Sequence, residues 1–217
     1  MTLTHSQAEA FYDHFGEKQD IQSFYEDLAL DDLIHHGSFE QAKNVFELGC
    51  GTGRLALWLL ATCLPPFATY VGMDLSQTMI DIAVKRLASF KERAKVVHSD
   101  GSMVFPLPDN SVDRVVSTYV FDLLSEEDIR QAIREAHRVL VPKGKLCIVS
   151  LTEGVTLPSE IVSGAWKMVF RLNASLIGGC RPIQLDGFFD DREWSLEYRN
   201  INIQFGIPSE VLIASRK

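Results

Sequence analysis

Apolar and polar positions along this chain follow two periods, and the switches between them mark out its elements. Residues 5–36 carry apolar or aromatic side chains at Phe11, Phe15, Ile21, Phe24, Tyr25, Leu28 and Leu33. That spacing is helical, with the polar remainder toward water, and Gly16 is the natural break between two helices. A short apolar run over 44–48 then predicts a strand. Gly49, Gly51 and Gly53 follow it at alternate positions, and Leu55, Leu57, Trp58, Leu59 and Leu60 come next. The order is strand, tight turn, then a helix over 52–63 stopped by Pro65 and Pro66. Residues 69–73 predict a second strand ending in Asp74, and Ser76 is placed to cap a helix running to about Phe90. Residues 95–98 predict a third strand, ending in Ser99 and Asp100. Pro106, Pro108, Asp109 and Asn110 mark a loop. Residues 112–118 read as a buried strand. Ser125 with Asp128 three positions on forms an approximate capping box for a helix to Leu140. Pro142 and Gly144 turn the chain out of that helix, and 146–150 predicts a fifth strand.

Five alternations of strand and helix imply a parallel sheet with helices on both faces. The last third differs. Residues 158–177 predict a helix ended by Gly178 and Gly179. Residues 194–205 alternate apolar and polar, and 211–214 is a final apolar run. The short link at 206–208 makes the last two strands an antiparallel hairpin. There is no internal repeat, low-complexity tract or linker. The expectation is one α/β domain over 1–217: a doubly wound, mostly parallel sheet with N-terminal helices and a C-terminal antiparallel hairpin.

Composition narrows the function classes. A chain of 217 residues, 46% hydrophobic and 23% charged, has the make-up of an ordinary globular domain. A net charge of −8 and a pI near 5.2 argue against nucleic acid as a partner, which calls for a basic surface. No apolar run reaches the ~18 residues of a membrane span. The N-terminus lacks the layout of a signal peptide. Cysteines stand at 50, 63, 147 and 180 with no Cys-x-x-Cys pair. That pattern suits a reduced, cytoplasmic protein better than a disulfide scaffold or a zinc site. The strand contexts of Cys50 and Cys147 predict buried free thiols.

The glycine turn carries the chemistry. Glycines let a ligand approach bare backbone, and the following helix aims free N–H groups and its positive dipole end into the turn. This is a cradle for a ligand with an anionic or strongly polar part. In doubly wound sheets ligands bind outside the carboxyl ends of the strands. Three acids lie there: Glu47 before the turn, Asp74 ending the second strand and Asp100 ending the third. Asp74, 21 residues after Gly53, suits a ribose diol. Asp100 suits an exocyclic adenine amine, and Glu47 a cation or the loop itself. Gly51-x-Gly53-x-x-Ala56 also satisfies the dinucleotide fingerprint, so a nicotinamide-dependent oxidoreductase is a rival. The crowding of three glycines after an acid, the second acid at Asp100 and the terminal hairpin point away from it.

These features together resemble the class I S-adenosylmethionine-dependent methyltransferases, in particular the ubiquinone/menaquinone-biosynthesis type of domain. The resemblance rests on Val45-Phe-Glu-Leu-Gly-Cys-Gly-Thr-Gly53, on Val71-Gly-Met-Asp74-Leu-Ser-Gln-Thr-Met79, on Asp100 with Phe105 through Asp113, and on Glu135 through Gly144. It covers about residues 44–151. It implies a seven-stranded sheet whose last strand is antiparallel. One departure is Pro142-Lys143-Gly144, where the family often has Pro-Gly-Gly.

Carried over by position, Gly49, Gly51 and Gly53 would face the methionine and ribose of S-adenosylmethionine, with Glu47 supporting the loop or the ammonium. Asp74 would bind the ribose hydroxyls, and Leu75 and Met79 would lie near the adenine. Asp100 would meet the adenine amine, with Ser102 and Met103 beside the ring. Ser117 and Tyr119 would border the methionine end and the acceptor. Tyr12-Asp13 matches an N-terminal Tyr-Asp that often reaches the cofactor in related enzymes.

The reaction implied is in-line methyl transfer to a small molecule. Asp122 and His14 are candidate bases, with Tyr119 as a positioning group. The fourth strand ends Ser117-Thr-Tyr-Val-Phe-Asp122, without the Asn/Asp-Pro-Pro-Tyr/Phe pattern of base-amine methyltransferases. Residues 152–192 form an insertion with Trp166, Phe170, Leu172, Leu176, Ile177, Phe188 and Phe189, expected to enclose a partly apolar acceptor together with the helical cap over 1–43. No motif calls for a metal, and His137 has no second ligand at metal spacing. A non-catalytic binding subunit on the same fold is the second rival. The oligomeric state is not written in the sequence.

Overall fold

Strand β1 (Asn44–Leu48) lies inside a seven-stranded sheet with β2 (Thr69–Asp74), β3 (Ala94–His98), β4 (Val112–Thr118), β5 (Leu140–Leu151), β6 (Trp194–Gln204) and β7 (Ile207–Arg216). The computed structural model describes residues 2–217. The order is β3-β2-β1-β4-β5-β7-β6. Strands β1 to β5 run parallel, and β7 is antiparallel to both β5 and β6. The order reverses at β1, between β2 and β4. The carboxyl ends of these three strands open the crevice where such a sheet binds ligands.

Period-two alternation sorts the strand residues between two cores. Leu146 and Ile148 of β5 join Val115, Leu212 and Ala214 on one face, under Ile129, Ile133 and Ala136 of helix α5 (Glu126–Val139). Cys147 and Val149 join Val116, Val211 and Ile213 on the other face. There they meet Ala29, Leu30 and Leu33 of α2 (Ser23–His36) and Leu55 and Ala56 of α3 (Arg54–Trp58). Each large side chain so buried contributes about 1.5–3 kcal/mol. Cys50 and Cys147 are buried free thiols, and burial pushes the Cys147 thiol up to about 12.

Several elements differ in extent from the sequence pattern. The helix expected over 52–63 is α-helical only to Trp58 and continues as a π turn over Leu59–Cys63, where the Leu64 N–H bonds to the Leu59 carbonyl at 2.7 Å. The wider turn lets Leu59, Leu60 and Leu64 all face the core. Strand β5 starts at Leu140, six residues earlier than expected. The Pro142–Gly144 turn is absorbed as an irregularity in the β4–β5 ladder, with Lys143 at φ 65°. At α5, the Ser125 Oγ accepts the Asp128 N–H at 3.1 Å and donates to its carboxylate at 2.7 Å, in place of a reciprocal backbone bond. The helix expected over 158–177 is α6 (Leu157–Leu172) followed by a 3-10 turn over Ala174–Ile177. The hairpin turns at Phe205 and Gly206, both at positive φ (52° and 80°), the geometry that suits the twist of the flanking strands.

The N-terminal segment is tied down by charge. Helix α1 (His5–Phe15) docks on α4 (Gln77–Arg86). The Asp13 carboxylate accepts from Ser76 Oγ at 2.5 Å and from the Thr78 N–H at 3.1 Å, while Ser76 Oγ accepts the Met79 N–H. Asp20 binds Arg86 and Thr52, and Glu26 and Asp27 bind Arg54.

Candidate functional site: the cavity at the glycine turn

The turn after β1 is pinned to the end of β2. The N–H groups of Gly49 and Cys50 both bond to the Met73 carbonyl, at 2.7 and 3.0 Å. The three glycines serve three purposes. A Cβ on Gly49 would stand 2.2 Å from Val120 Cγ2, so Gly49 allows the turn after β4 to close on the turn after β1. Gly53 starts α3 against Ala83 of α4. A Cβ on Gly51 would meet nothing within 4 Å, because it would project into open space.

That space is a cavity enclosing about 960 Å³ of empty volume, the outer part continuous with solvent. Its floor is Gly49, Gly51 and the carboxyl ends of β1, β2 and β4. Asp74 lines the cavity. Its carboxylate accepts the Gly51 N–H at 2.7 Å and the Ser76 N–H at 2.9 Å, which leaves lone pairs for a hydroxyl-bearing ligand. Burial raises its pKa, and the Ser76 and Gly51 N–H groups oppose that rise. Leu75, Met79 and Met103 make an apolar slot on the β2–β3 side. Thr118, Tyr119, Val120 and Leu123 wall the β4 side. Tyr119 holds φ 55°, a conformation that costs a non-glycine residue free energy and concentrates at functional sites. Its hydroxyl donates to Ser209 Oγ at 2.9 Å.

Comparison with known proteins places the segment around the glycine turn and this fold among methyltransferases. The methyltransferase domain family matches residues 45–144, the segment from β1 into β5. Just under half of the chain thus resembles a methyltransferase domain. The demethylmenaquinone methyltransferase of Lactobacillus johnsonii is 32% identical over 127 residues, 58% of this chain and 50% of that protein. The chain thus spans about half the length of the curated relatives it matches. Among solved structures, a chain from the complex between the Haloferax volcanii Trm112 methyltransferase activator and a protein described as a methyltransferase superposes with TM-score 0.71 at 16% identity, over 94% of this chain and 97% of that one. A SAM-dependent methyltransferase of Methanosarcina mazei superposes with TM-score 0.67 at 17% identity, over 85% and 96%. At these identities the two structures establish the shared fold.

Around the cavity the expected residues divide. Tyr12, Gly49, Gly51, Asp74, Leu75, Met79, Met103 and Tyr119 come together around the cavity. Glu47, Gly53, Asp100, Ser102, Ser117, Asp122 and His14 are not among the residues lining it. Glu47 is buried beneath the turn, where Tyr70 Oη donates to it at 2.5 Å. Burial pushes its carboxyl up to about 7. It borders a second, smaller space behind the turn, with Glu26, Thr52 and Arg54. Asp100 is exposed, and its carboxylate accepts from the N–H and Oγ of Ser102. Its neighbours Ser99 and Gly101 face the cavity instead. Ser117 Oγ donates to the Leu48 carbonyl and joins β4 to β1. Asp122 is fully buried near Ser150 and Cys180, with its carboxyl pushed to about 7 by burial. His14 is exposed.

The cavity also uses residues that no motif singled out. Leu3, His5, Ala8 and Gln19 come from the N-terminal segment. Asp128 holds His5 at 3.6 Å, and the His5 ring rests on Gly101, at the β3 side. Chain separations of about a hundred residues leave no local signal for such pairs. None of the aromatic and aliphatic residues named in the 152–192 insertion lines the cavity. Phe188 and Phe189 pack on the core beside Arg130 and Trp194, and Leu172 and Leu176 are exposed. The insertion reaches the site through the cap, with Gly178 against Phe11, Gly179 against Leu3, and Cys180 Sγ 4.0 Å from Tyr12 Oη.

Proposed function

We propose that this chain transfers the methyl group of S-adenosylmethionine to a small, partly apolar acceptor. The observation that carries the reading is the single cavity in which the bare backbone of Gly51, the Asp74 carboxylate and an apolar slot face one another. These residues fit S-adenosylmethionine: the slot of Leu75, Met79 and Met103 takes the adenine, Asp74 accepts from the ribose hydroxyls, and the glycine turn admits the methionine end. Bound there, the cofactor supplies a methyl carbon activated by a positively charged sulfur. The protein's part is to align the acceptor with that carbon and to exclude water. Leu123, Val120 and Tyr119 at the end of β4 present a mainly apolar wall for this purpose, and Tyr12 closes it from the cap.

The acceptor we propose is a ring of the demethylmenaquinone kind in its reduced, hydroxyl-bearing form, whose electron-rich ring carbon attacks the methyl and then gives up its proton. The name of the matching relatives supports it, and so does the apolar wall. In this reading residues 1–43 are a cap over the cofactor and 152–192 braces that cap within one domain. Proton removal from the acceptor falls to groups at the β4 side. Asp122 holds a proton near neutrality behind Tyr12 and Cys180, and it acts through these rather than by touching the acceptor.

Calorimetric titration with S-adenosylmethionine and with its demethylated product tests the cofactor. Micromolar binding of both is expected. Binding of a nicotinamide nucleotide with none of the sulfonium would overturn the reading. Binding without turnover on demethylmenaquinone analogues would leave the cofactor in place and remove the proposed acceptor.

A further inference from the structure

Helix α6 is amphipathic the wrong way round for a helix on its own sheet. Its inward face is Ser159, Ser163, Trp166 and Phe170. Ser159 and Ser163 are its buried residues, the Trp166 indole donates to the Cys180 carbonyl at 3.1 Å, and the Arg181 guanidinium lies over the Phe170 ring. The opposite face is aliphatic. Leu157, Ile161, Met168 and Leu172 recur at helical spacing and are 77%, 72%, 65% and 80% exposed. Such a stripe in water is a contact surface waiting for a partner. At its middle are Gly164 and Ala165, both exposed. Glycine inside a helix costs about 1 kcal/mol relative to alanine. Nothing among the described residues requires it here, because a Cβ on Gly164 would meet none of their atoms within 4 Å. The room that Gly164 leaves lies outside this chain.

We propose that α6 is the contact between two copies of this protein, packed antiparallel about a two-fold axis that passes between Gly164 and Ala165. The stripe is self-complementary in that arrangement. Leu157 of one copy meets Leu172 of the other, Ile161 meets Met168, and the small residues meet at the axis, where backbones approach most closely. The charges agree. Glu160 and Arg171 are exposed on the same flank of the stripe. A two-fold axis perpendicular to the helices brings like flanks together, so Glu160 of one copy stands beside Arg171 of the other, offset along the helix by about 3 Å. Symmetry forms that pair twice. The other flank, Pro158, Val162 and Val169, carries no charge to oppose the contact. One helix pair is at the small end of stable interfaces, which begin near about 1,200 Å² in total. The dimer therefore dissociates on dilution.

Sedimentation of the full chain from about 1 to about 200 µM tests this. A dimer that dissociates within the range is expected. Ile161→Asp gives a monomer with unchanged circular dichroism and melting temperature, since the position is exposed in the single chain. At low salt Glu160→Arg and Arg171→Glu each weaken the dimer by about tenfold, and the double variant restores it. A chain monomeric throughout, or a dimer that survives Ile161→Asp, would overturn the proposal. Failure of the double variant to restore the dimer would overturn the antiparallel register. Flotation with neutral phosphatidylcholine vesicles gives the remaining arm: a monomer that floats, and ceases to float as Ile161→Asp, would assign the stripe to a lipid surface instead.

Discussion

Asp74 joins structure and proposed function in one carboxylate. It holds the glycine turn through the Gly51 N–H and faces the cavity at the same time. Asp74→Ala is expected to weaken S-adenosylmethionine binding by about 1.5–3 kcal/mol, read by calorimetry on protein shown by circular dichroism to be folded. Glu47 makes a different prediction. Its carboxyl is fully buried with Tyr70 as donor and is raised from 4.5 to about 7. The folded state therefore holds this proton more tightly than the unfolded chain. The stability it contributes is full below about pH 4.5 and is lost as the pH rises through about 7. Glu47→Gln keeps an acceptor for Tyr70 and removes the titration. It should raise stability at pH 8 by up to about 3 kcal/mol and leave it nearly unchanged at pH 4, as measured by urea unfolding at both values. At this scale Gly51 and Asp74 were legible because residue type, order and spacing carry the chemistry. The orientation of Asp100 was not, since an exposed aspartate two residues before a serine can turn its carboxylate into its own loop.

Helix α1 has a reciprocal cap between Thr4 and Gln7 but little burial to fix its position. It buries no residue fully, so its place depends on what it touches. Asp13 caps α4 from outside through Ser76 Oγ and the Thr78 N–H, and the Ser76 bond is the main cause of its lowered pKa. Asp13→Asn should cost about 1 kcal/mol of stability and speed hydrogen exchange in α1 more than in α5, which is anchored by Ile129, Ile133 and Ala136. The wild-type contribution is present above the ordinary aspartate range and fades as the pH falls through it, so the difference between the two proteins narrows in acid. The helical period of 5–36 was readable, as was the break at Gly16. The π turn after Trp58 was not, because a single extra residue in a helix leaves the apolar pattern nearly intact. The early start of β5 was hidden by Pro142 and Gly144, which read as a turn and serve as an irregularity inside a ladder.

The whole molecule is a doubly wound sheet whose N-terminal segment lines the cavity at the switch point. Ligand binding across that junction links the N-terminal segment to the strand ends, so it should stabilise the fold by mass action. At about a hundredfold excess over Kd the gain is about 2.7 kcal/mol, which for a chain of this size is a rise of about 5–10 °C in Tm, read by scanning calorimetry with S-adenosylmethionine. No helix among the described residues is long and apolar enough to cross a membrane. By itself the sequence determined the strand and helix order, the hairpin and the ligand turn. Those are set by periodicity, by glycine and proline and by caps, all of which act within a few residues. Tertiary structure decided which side chains share the cavity. His5 beside Asp128 and Gly101, Leu3 against Gly179, and Tyr12 beside Cys180 are partners far apart in the chain. Their meeting follows from how the packed layers fold the cap back on the sheet. Tertiary structure also decided that the aliphatic side of α6 faces water, because the serines and aromatics opposite it claim the inner surface first.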